Sequence, residues 1–202
     1  MTRENKSLEA VKNKLMAQAL KSVGRVGWNG LDIQKLSTET GYPPEMAEAV
    51  FPAGVADMAD YYSRKLDAEM LESLEDVDPK DLKTRERVAT AVMARYRAAA
   101  EDKDIFRQTL AFWSSPNRLP RGGKILWRTA DIIWQWAGDT ATDYNHYTKR
   151  ALLGGVITST NLVFINDTGG TLTDTEDFLK RRIENVLKIG SLAGSIISKV
   201  KR

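Results

Sequence analysis

The stretch of residues 132–166, IIWQWAGDTATDYNHYTKRALLGGVITSTNLVFIN, decides the fold of this chain. Apolar residues recur at helical spacing on both sides of a polar turn at residues 139–142, which predicts two helices joined as a hairpin. Asp143 is placed to cap the second helix. Residues 144–150 then bring many aromatic and polar side chains into its first turns. Two interpretations stay open: a buried hairpin, or a hairpin that walls an apolar cavity and shows this end to a partner.

Helical periodicity also covers most of the remaining chain, and strand alternation is almost absent. We therefore predict an all-α fold of about nine helices. Ser7 is predicted to cap the first helix, and Asp78-Pro79 is typical of an N-cap followed by a first-turn proline. Thr173 and Glu176 have the spacing of a capping box, which predicts the start of the last helix.

Composition limits the class of protein. The 202 residues are enough for one good-sized core, and 42% hydrophobic with 28% charged residues indicates a globular chain. Cysteine is absent, so disulfides and thiolate chemistry are excluded. No apolar run approaches the roughly 20 residues of a membrane span. We expect a protein of the cytoplasm, peripheral to a bacterial inner membrane, or of the mitochondrial matrix side if the chain is a trimmed eukaryotic one.

Catalytic and metal-binding patterns are weak. His146 is the only histidine, so a site of several histidines is excluded, although carboxylates alone remain open as metal ligands. There is no Gly-x-Ser-x-Gly motif, and Gly169-Gly170 lacks the lysine of a phosphate-binding loop. We predict no catalytic residue, no metal site and no enzyme activity.

Tryptophans are concentrated before and inside the hairpin: Trp113, Trp127, Trp134 and Trp136 fall within 24 residues. One interpretation is a packed core. The other is an apolar ligand pocket or contact with a lipid interface, where an indole offers both an apolar face and an N–H group.

The last helix pattern combines an apolar stripe with positive charge. The stripe repeats at spacings of four and three: Leu179, Ile183, Val186, Gly190, Ala193, Ile197 and Val200. Residues 178–202 carry seven basic residues and one acidic residue, a net charge of +6. This helix is predicted either to pack on its own domain or a second copy of the chain, or to lie near anionic lipid.

Residues 8–66 resemble the N-terminal part of TetR-type regulators. The matching residues after the apolar first helix are Gly27, Trp28, Leu31, Leu36, Gly41 and Phe51. Residues 36–63, however, contain five acidic residues and no Lys or Arg, a net charge of −5. A helix-turn-helix places its recognition helix and phosphate contacts here, so the sign of the charge disfavours DNA binding.

WAGDTATDYN at residues 136–145 and YTKRALL at residues 147–153 resemble the Coq-nine family of ubiquinone-biosynthesis accessory proteins. The resemblance covers nearly the whole chain, including Gly27-Trp28 and DFL at residues 177–179. It implies a TetR-like fold without DNA binding and an apolar pocket that holds isoprenoid lipid. It also implies association with the di-iron demethoxyubiquinone hydroxylase, to which the lipid is presented. One departure is His146-Tyr147, where the family carries Trp-Tyr.

The resemblance leads to specific site predictions. The lipid-binding residues are predicted to be Phe112, Trp113, Leu126, Trp127, Ile133, Leu152, Val156 and Phe164. The partner-binding residues are predicted to be Trp136, Asp143, His146, Tyr147 and Arg150. No cofactor is expected beyond a bound isoprenoid or phospholipid. We predict a single chain, 1–202, with a helix-turn-helix-like part at 8–66 and a lipid-binding bundle at 67–202, forming a homodimer. The alternatives are a TetR-type ligand-sensing regulator or a structural scaffold of a biosynthetic complex.

The charge of residues 36–63 gives a first testable prediction. Because this stretch repels phosphate, duplex DNA should show no sequence-dependent binding at physiological salt in a gel-shift assay. Tight binding that depends on the DNA sequence would favour the regulator instead.

Overall fold

The structure, a computed structural model, describes the backbone of residues 3–142 and 144–200 and the side chains of residues 7–142 and 144–186. The all-α prediction is confirmed: nine α-helices and two short 3₁₀ turns account for the secondary structure of the described residues. The helices are α1 (Arg3–Val26), α2 (Ile33–Glu39), α3 (Pro44–Val50), α4 (Val55–Glu72), α5 (Thr84–Ala100), α6 (Lys103–Trp113), α7 (Leu119–Trp136), α8 (Tyr144–Phe164) and α9 (Thr173–Val200).

The described chain divides into two compact units. The first contains Met1–Ala68 and Ala99–Ile125, and the second contains Glu69–Ala98 and Leu126–Arg202. The N-terminal limit lies close to the predicted boundary at residue 66. The difference is that residues 99–125, assigned from sequence to the bundle, belong with the N-terminal helices, because α1 packs along α6.

The first unit is built on α1, which contacts α2, α3 and α6. The buried face of α1 carries Leu15, Ala19 and Val23 at spacings of four, as expected for an amphipathic helix. Trp28 follows in a 3₁₀ turn and is fully buried, with its indole Nε1 donating to Thr109 Oγ1 at 2.9 Å. This contact ties the connection after α1 to α6.

Helices α2 and α3 form the helix-turn-helix-like part of this unit and pack closely on each other. The turn depends on Gly41, which adopts φ +84°, a conformation that L side chains rarely adopt. Gly41 N–H donates to the Thr38 carbonyl, and Tyr42 N–H to the Ser37 carbonyl, so the orphan carbonyls at the end of α2 are satisfied. Pro44 then occupies the first turn of α3, as predicted.

The second unit has an aromatic core. The rings of Tyr96 and Phe164 stack with their centroids 4.7 Å apart, and both side chains are fully buried. The Tyr96 hydroxyl donates to Asn161 Oδ1 at 2.9 Å, so this buried phenol is satisfied. Burial raises the pKa of Tyr96 above its usual range and keeps it a proton donor.

Two predicted helix starts are wrong in detail. Helix α1 begins at Arg3, so Ser7 lies inside it and does not cap it. Asp78 accepts from Lys80 N–H, but it caps a 3₁₀ turn at Pro79–Asp81, and α5 begins only at Thr84. The start of α9 at Thr173 is confirmed, and the residue before it is Leu172, which is buried with φ +56°.

Asp167 replaces the predicted capping box of α9. Its Oδ2 accepts from Thr175 N–H at 3.0 Å and from Thr175 Oγ1 at 2.7 Å. The Thr173 hydroxyl instead contacts that of Thr171. A carboxylate from the loop just before the helix, eight residues from Thr175, therefore satisfies the first turn of α9.

Several predictions concern residues outside the described ones. The proposed cap Asp143 is among them, as are the burial of Gly190 and the side chains of Ala193, Ile197 and Val200 in the last apolar stripe. The basic lipid-facing role of α9 and the homodimer stay predictions. In the part of the chain that the structure describes, no helix is long and apolar enough to cross a membrane.

The buried Trp28 gives a stability prediction. Trp28→Phe removes the indole donor to Thr109 and leaves a cavity, so unfolding in denaturant should lose about 2 kcal/mol. Trp127→Phe is the matched control, because Trp127 is a surface side chain and its change should stay within about 0.5 kcal/mol. Equal losses in the two variants would show that Trp28 does not anchor the first unit.

Candidate functional site

The hairpin of α7 and α8 lies in the second unit from Leu126 onward, and its turn is fixed by a glycine. Gly138 adopts φ +84°, and its N–H donates to the Gln135 carbonyl while Asp139 N–H donates to the Trp134 carbonyl. This pair of bonds ends α7 in the same way as α2. A Cβ at position 138 would also approach Arg87 Nη1 to 3.3 Å. The turn consequently brings the Asp139 carboxylate against the first turns of α8.

A buried charge network joins the two helices of the hairpin. Arg150 is only 2% exposed; its Nε donates to Asp131 at 2.5 Å and its Nη1 to Asp139 at 3.1 Å. Nη1 also donates to the His146 carbonyl at 3.0 Å. Lys149 Nζ donates to the other Asp139 oxygen at 2.6 Å. Burial alone would raise the pKa of Asp139, but the hydrogen bonds from Lys149 and Arg150 outweigh it and hold that pKa below its usual range.

The expectation that Arg150 offers an exposed side chain to a partner is wrong. Two carboxylates hold its guanidinium inside the hairpin, and a fork of five donors is well suited to bridging them. Arg150 therefore positions the start of α8. The other predicted partner-binding residues are more exposed to solvent than Arg150: Trp136 and His146 are half-buried, and Tyr147 is 62% exposed.

His146 is oriented by its backbone surroundings. Its Nδ1 lies 3.0 Å from the Ala141 carbonyl, which can only accept, so Nδ1 carries the proton. The imidazole meets the Tyr147 ring edge-on at a centroid distance of 5.2 Å. His146 thus supports Tyr147 from one side.

Exposed aromatic side chains gather at this end of the hairpin. The ring of Tyr147 lies 6.1 Å from that of Trp127, and Trp127 is 36% exposed. Tyr144, three residues before Tyr147 on the same helix face, is 81% exposed. We call Trp127, Tyr144 and Tyr147 the aromatic surface. Exposed aromatics of this density are typical of interaction sites.

A cavity of about 590 Å³ lies elsewhere in the same unit. Its apolar wall comes from α5, α7, α8 and α9: Val88, Trp134, Leu152, Leu153, Val156 and Ile183. Its polar lining is Lys83, Thr84, Arg85 and Lys149. Trp134 is fixed by its indole Nε1, which donates to the Lys149 carbonyl at 3.1 Å, and by the Lys149 ammonium over its ring. We call this space the apolar cavity.

The predicted lipid-binding residues are only partly brought together. Leu152 and Val156 line the apolar cavity. Phe164 and Ile133 are fully buried in the core, and Leu126 packs against Gly154.

The remaining three predicted lipid-binding residues lie elsewhere. Trp127 belongs to the aromatic surface, and Phe112 and Trp113 are in the first unit, where their rings meet edge-on at 4.9 Å. The polar lining of Lys83, Thr84 and Arg85 could not be predicted from the sequence, because these residues meet α8 only in the folded second unit.

One solved structure shares this fold. A TetR transcriptional regulator from Nitrosomonas europaea ATCC 19718 superposes with a TM-score of 0.70, covering 87% of this chain and 97% of that one at 16% identity. The predicted TetR-like fold is confirmed, and this likeness concerns the fold alone.

Sequence comparison then confirms the resemblance to the Coq-nine family. The COQ9 family model matches residues 119–190, which include α7, α8 and the first part of α9. The mitochondrial ubiquinone biosynthesis protein COQ9 of Xenopus tropicalis is 28% identical over 95% of this chain. The human protein of the same name is 24% identical over 95%. The aligned part spans 62% of the length of each of these two relatives.

The buried network gives a third prediction. Arg150→Met keeps the apolar stem but leaves Asp131 with only the Gln135 amide and Asp139 with Lys149 as its only charged partner, so the free energy of unfolding should fall by about 3 kcal/mol. Lys149→Met is the control; its ammonium is partly exposed and Asp139 keeps Arg150, so the loss should be about 1 kcal/mol or less. Chemical denaturation of both variants measures the difference. A small loss in Arg150→Met would show that the hairpin does not depend on the network.

Proposed function

We propose that this protein is a non-catalytic accessory protein of ubiquinone biosynthesis. It binds polyprenylated quinone intermediates and presents them to the di-iron demethoxyubiquinone hydroxylase. The observation that supports this most is the origin of the apolar cavity: six of its ten lining residues lie within residues 119–190, the segment that matches the COQ9 family model. The relatives' names place those proteins in ubiquinone biosynthesis and in mitochondria.

The cavity is physically suited to an isoprenoid chain. Its volume lies in the range of small-molecule sites, about 300–1,000 Å³. The wall offers aliphatic and indole surface, and each methylene group removed from water contributes about 0.8 kcal/mol. A few isoprene units buried here would hold the lipid through purification. A prenyl tail of many units would extend beyond a space of this size.

The aromatic surface is the proposed contact for the hydroxylase. Tyr147 and Trp127 combine exposed area with few rotatable bonds, which suits residues that dominate interface energies. His146 and the buried Arg150 keep α8 and the Tyr147 ring in place. Since α8 carries both this surface and part of the cavity wall, lipid and partner would be held by one helix.

The two alternative functions, a ligand-sensing regulator and a structural scaffold, require different features of the chain. A ligand-sensing regulator needs a basic helix-turn-helix, and residues 36–63 carry a net charge of −5. A structural scaffold needs no ligand, so detection of bound lipid would distinguish a lipid carrier from a scaffold.

The lipid can be tested directly. Organic extracts of the purified protein should contain isoprenoid or phospholipid by mass spectrometry. Leu152→Trp adds bulk at the cavity wall and should lower the lipid content several-fold. Leu162→Trp is the matched control, because Leu162 lies on the same helix, is 63% exposed and does not line the cavity. Extracts without lipid from the wild-type protein would contradict the carrier function.

The partner surface is tested by Tyr147→Ala. Loss of an exposed aromatic anchor should weaken hydroxylase binding by about 2 kcal/mol, measured by titration of the two proteins. The thermal melt and the lipid content should stay near wild type, because Tyr147 is mostly exposed. The same titration with Tyr144→Ala, one helical turn away, tests whether the hydroxylase contact extends beyond Tyr147. Unchanged binding in both folded variants would place the partner on another surface.

A further inference from the structure

Arg87 joins the wall of the apolar cavity to the turn of the hairpin. It is half-buried in the first turn of α5, next to residues 83–85 of the cavity lining. Its Nε donates to the Leu82 carbonyl and its Nη1 donates to the Ala137 carbonyl, both at 2.9 Å. One guanidinium therefore bridges the start of α5 and the end of α7.

The Ala137 carbonyl is a group that needs such a donor. Helix α7 ends at Trp136, and the carbonyl groups at the C-terminus of a helix have no partner within it. Ala137 is only 3% exposed, and the helix dipole also favours a cation at this end. Glycine at position 138 leaves room for the guanidinium, because a Cβ there would approach Arg87 Nη1 to 3.3 Å.

Arg87 and Arg150 hold the hairpin in different ways. Arg150 is held by two carboxylates, whereas Arg87 donates to two neutral carbonyls and has no ion pair with a described residue. Hydrogen bonds to carbonyls cost less to break than buried ion pairs. The hairpin therefore moves as one body, and its position relative to α5 is the more easily changed.

We propose that Arg87 is a positioning residue that couples ligand binding in the apolar cavity to partner binding at the aromatic surface. A ligand in the cavity contacts α5, α7 and α8 together, so it restricts the movement of α5 relative to the hairpin. The Arg87 bridge carries this restriction to the hairpin turn. This inference rests on the proposed function and names the residue that links its two binding sites.

The turn is connected to the aromatic surface by contacts already described. Asp139 in the turn accepts from Arg150, and Arg150 also donates to the His146 carbonyl in the first turn of α8. The His146 ring meets the Tyr147 ring edge-on. A partner that binds a surface already ordered in this way loses less conformational entropy, so the ligand should strengthen its binding.

The coupling can be measured on the delipidated full chain with ubiquinone that carries a tail of two isoprene units. The ratio of the hydroxylase Kd without the quinone to the Kd with it is the coupling, and the reverse titration must give the same ratio. Hydrogen exchange of residues 137–142, with and without the quinone, reports on the turn in the absence of the hydroxylase.

Three variants separate the Arg87 bridge from other effects. Arg87→Met keeps the apolar stem and removes both donors. Arg85→Met is the matched control, because Arg85 lies in the same turn and lines the cavity, but its ion pair is a 4.0 Å contact with Glu86. Arg87→Lys keeps the charge without the planar fork that reaches both carbonyls, and it decides the test if Arg87→Met does not melt cooperatively.

In the wild-type protein we expect the quinone to strengthen hydroxylase binding about tenfold, a common size for coupled sites, and to slow exchange in the turn. In Arg87→Met the ratio should fall to about one and the added protection should disappear, because the bridge is lost. Arg87→Lys should lower the ratio several-fold. Arg85→Met should keep both the ratio and the protection.

Two results would overturn the role of Arg87: coupling that persists in Arg87→Met and Arg87→Lys, or coupling that Arg85→Met also abolishes. If the wild-type protein binds the quinone and the hydroxylase independently, the coupling is wrong and the proposed function stands. If the quinone or the hydroxylase does not bind the wild-type protein, the proposed function itself fails, and the coupling fails with it.

Discussion

The second unit depends on the ion pairs that Arg150 makes across the α7–α8 hairpin. Asp131 on α7 and Asp139 in the turn both hold the Arg150 guanidinium, which is removed from water. A buried charge without these partners would cost several kcal/mol, so the network admits essentially one arrangement of the two helices. That arrangement fixes where the aromatic surface and the Lys149 side of the apolar cavity lie.

The helix pattern and the hairpin could be predicted from sequence because they follow from local periodicity and turn residues. Gly41 and Pro44 act through their own backbone conformations, and the structure confirms both. The capping of α9 could not be predicted, because Asp167 comes from outside the local pattern. Arg150 was misassigned for the same reason: its partners lie 19 and 11 residues away, and sequence cannot show that both face inward.

For a similar physical reason, only Leu152 and Val156 of the predicted lipid-binding residues share a cavity. Apolar periodicity predicts which side chains are buried, but it does not predict which residues those side chains contact. Phe164 and Val156 lie on the same helix with similar burial, yet Phe164 stacks on Tyr96 and Val156 borders the cavity. The polar lining of the cavity had no signal in the sequence, since Lys83 and Arg85 become neighbours of α8 only in the folded second unit.

Helix α8 has one face exposed to solvent and another that lines the apolar cavity, and its 3.6-residue period places them on different sides of the helix. Tyr144 and Tyr147 point to solvent, while Leu153 and Val156, six and nine residues beyond Tyr147, border the cavity. Arg150 lies between these pairs and is held from α7, so the helix cannot rotate about its axis without breaking buried ion pairs. A ligand that shifts α8 would therefore have to move it together with the hairpin turn. Under the proposed function, the lipid would be presented by a rigid hairpin whose exposed end the hydroxylase contacts.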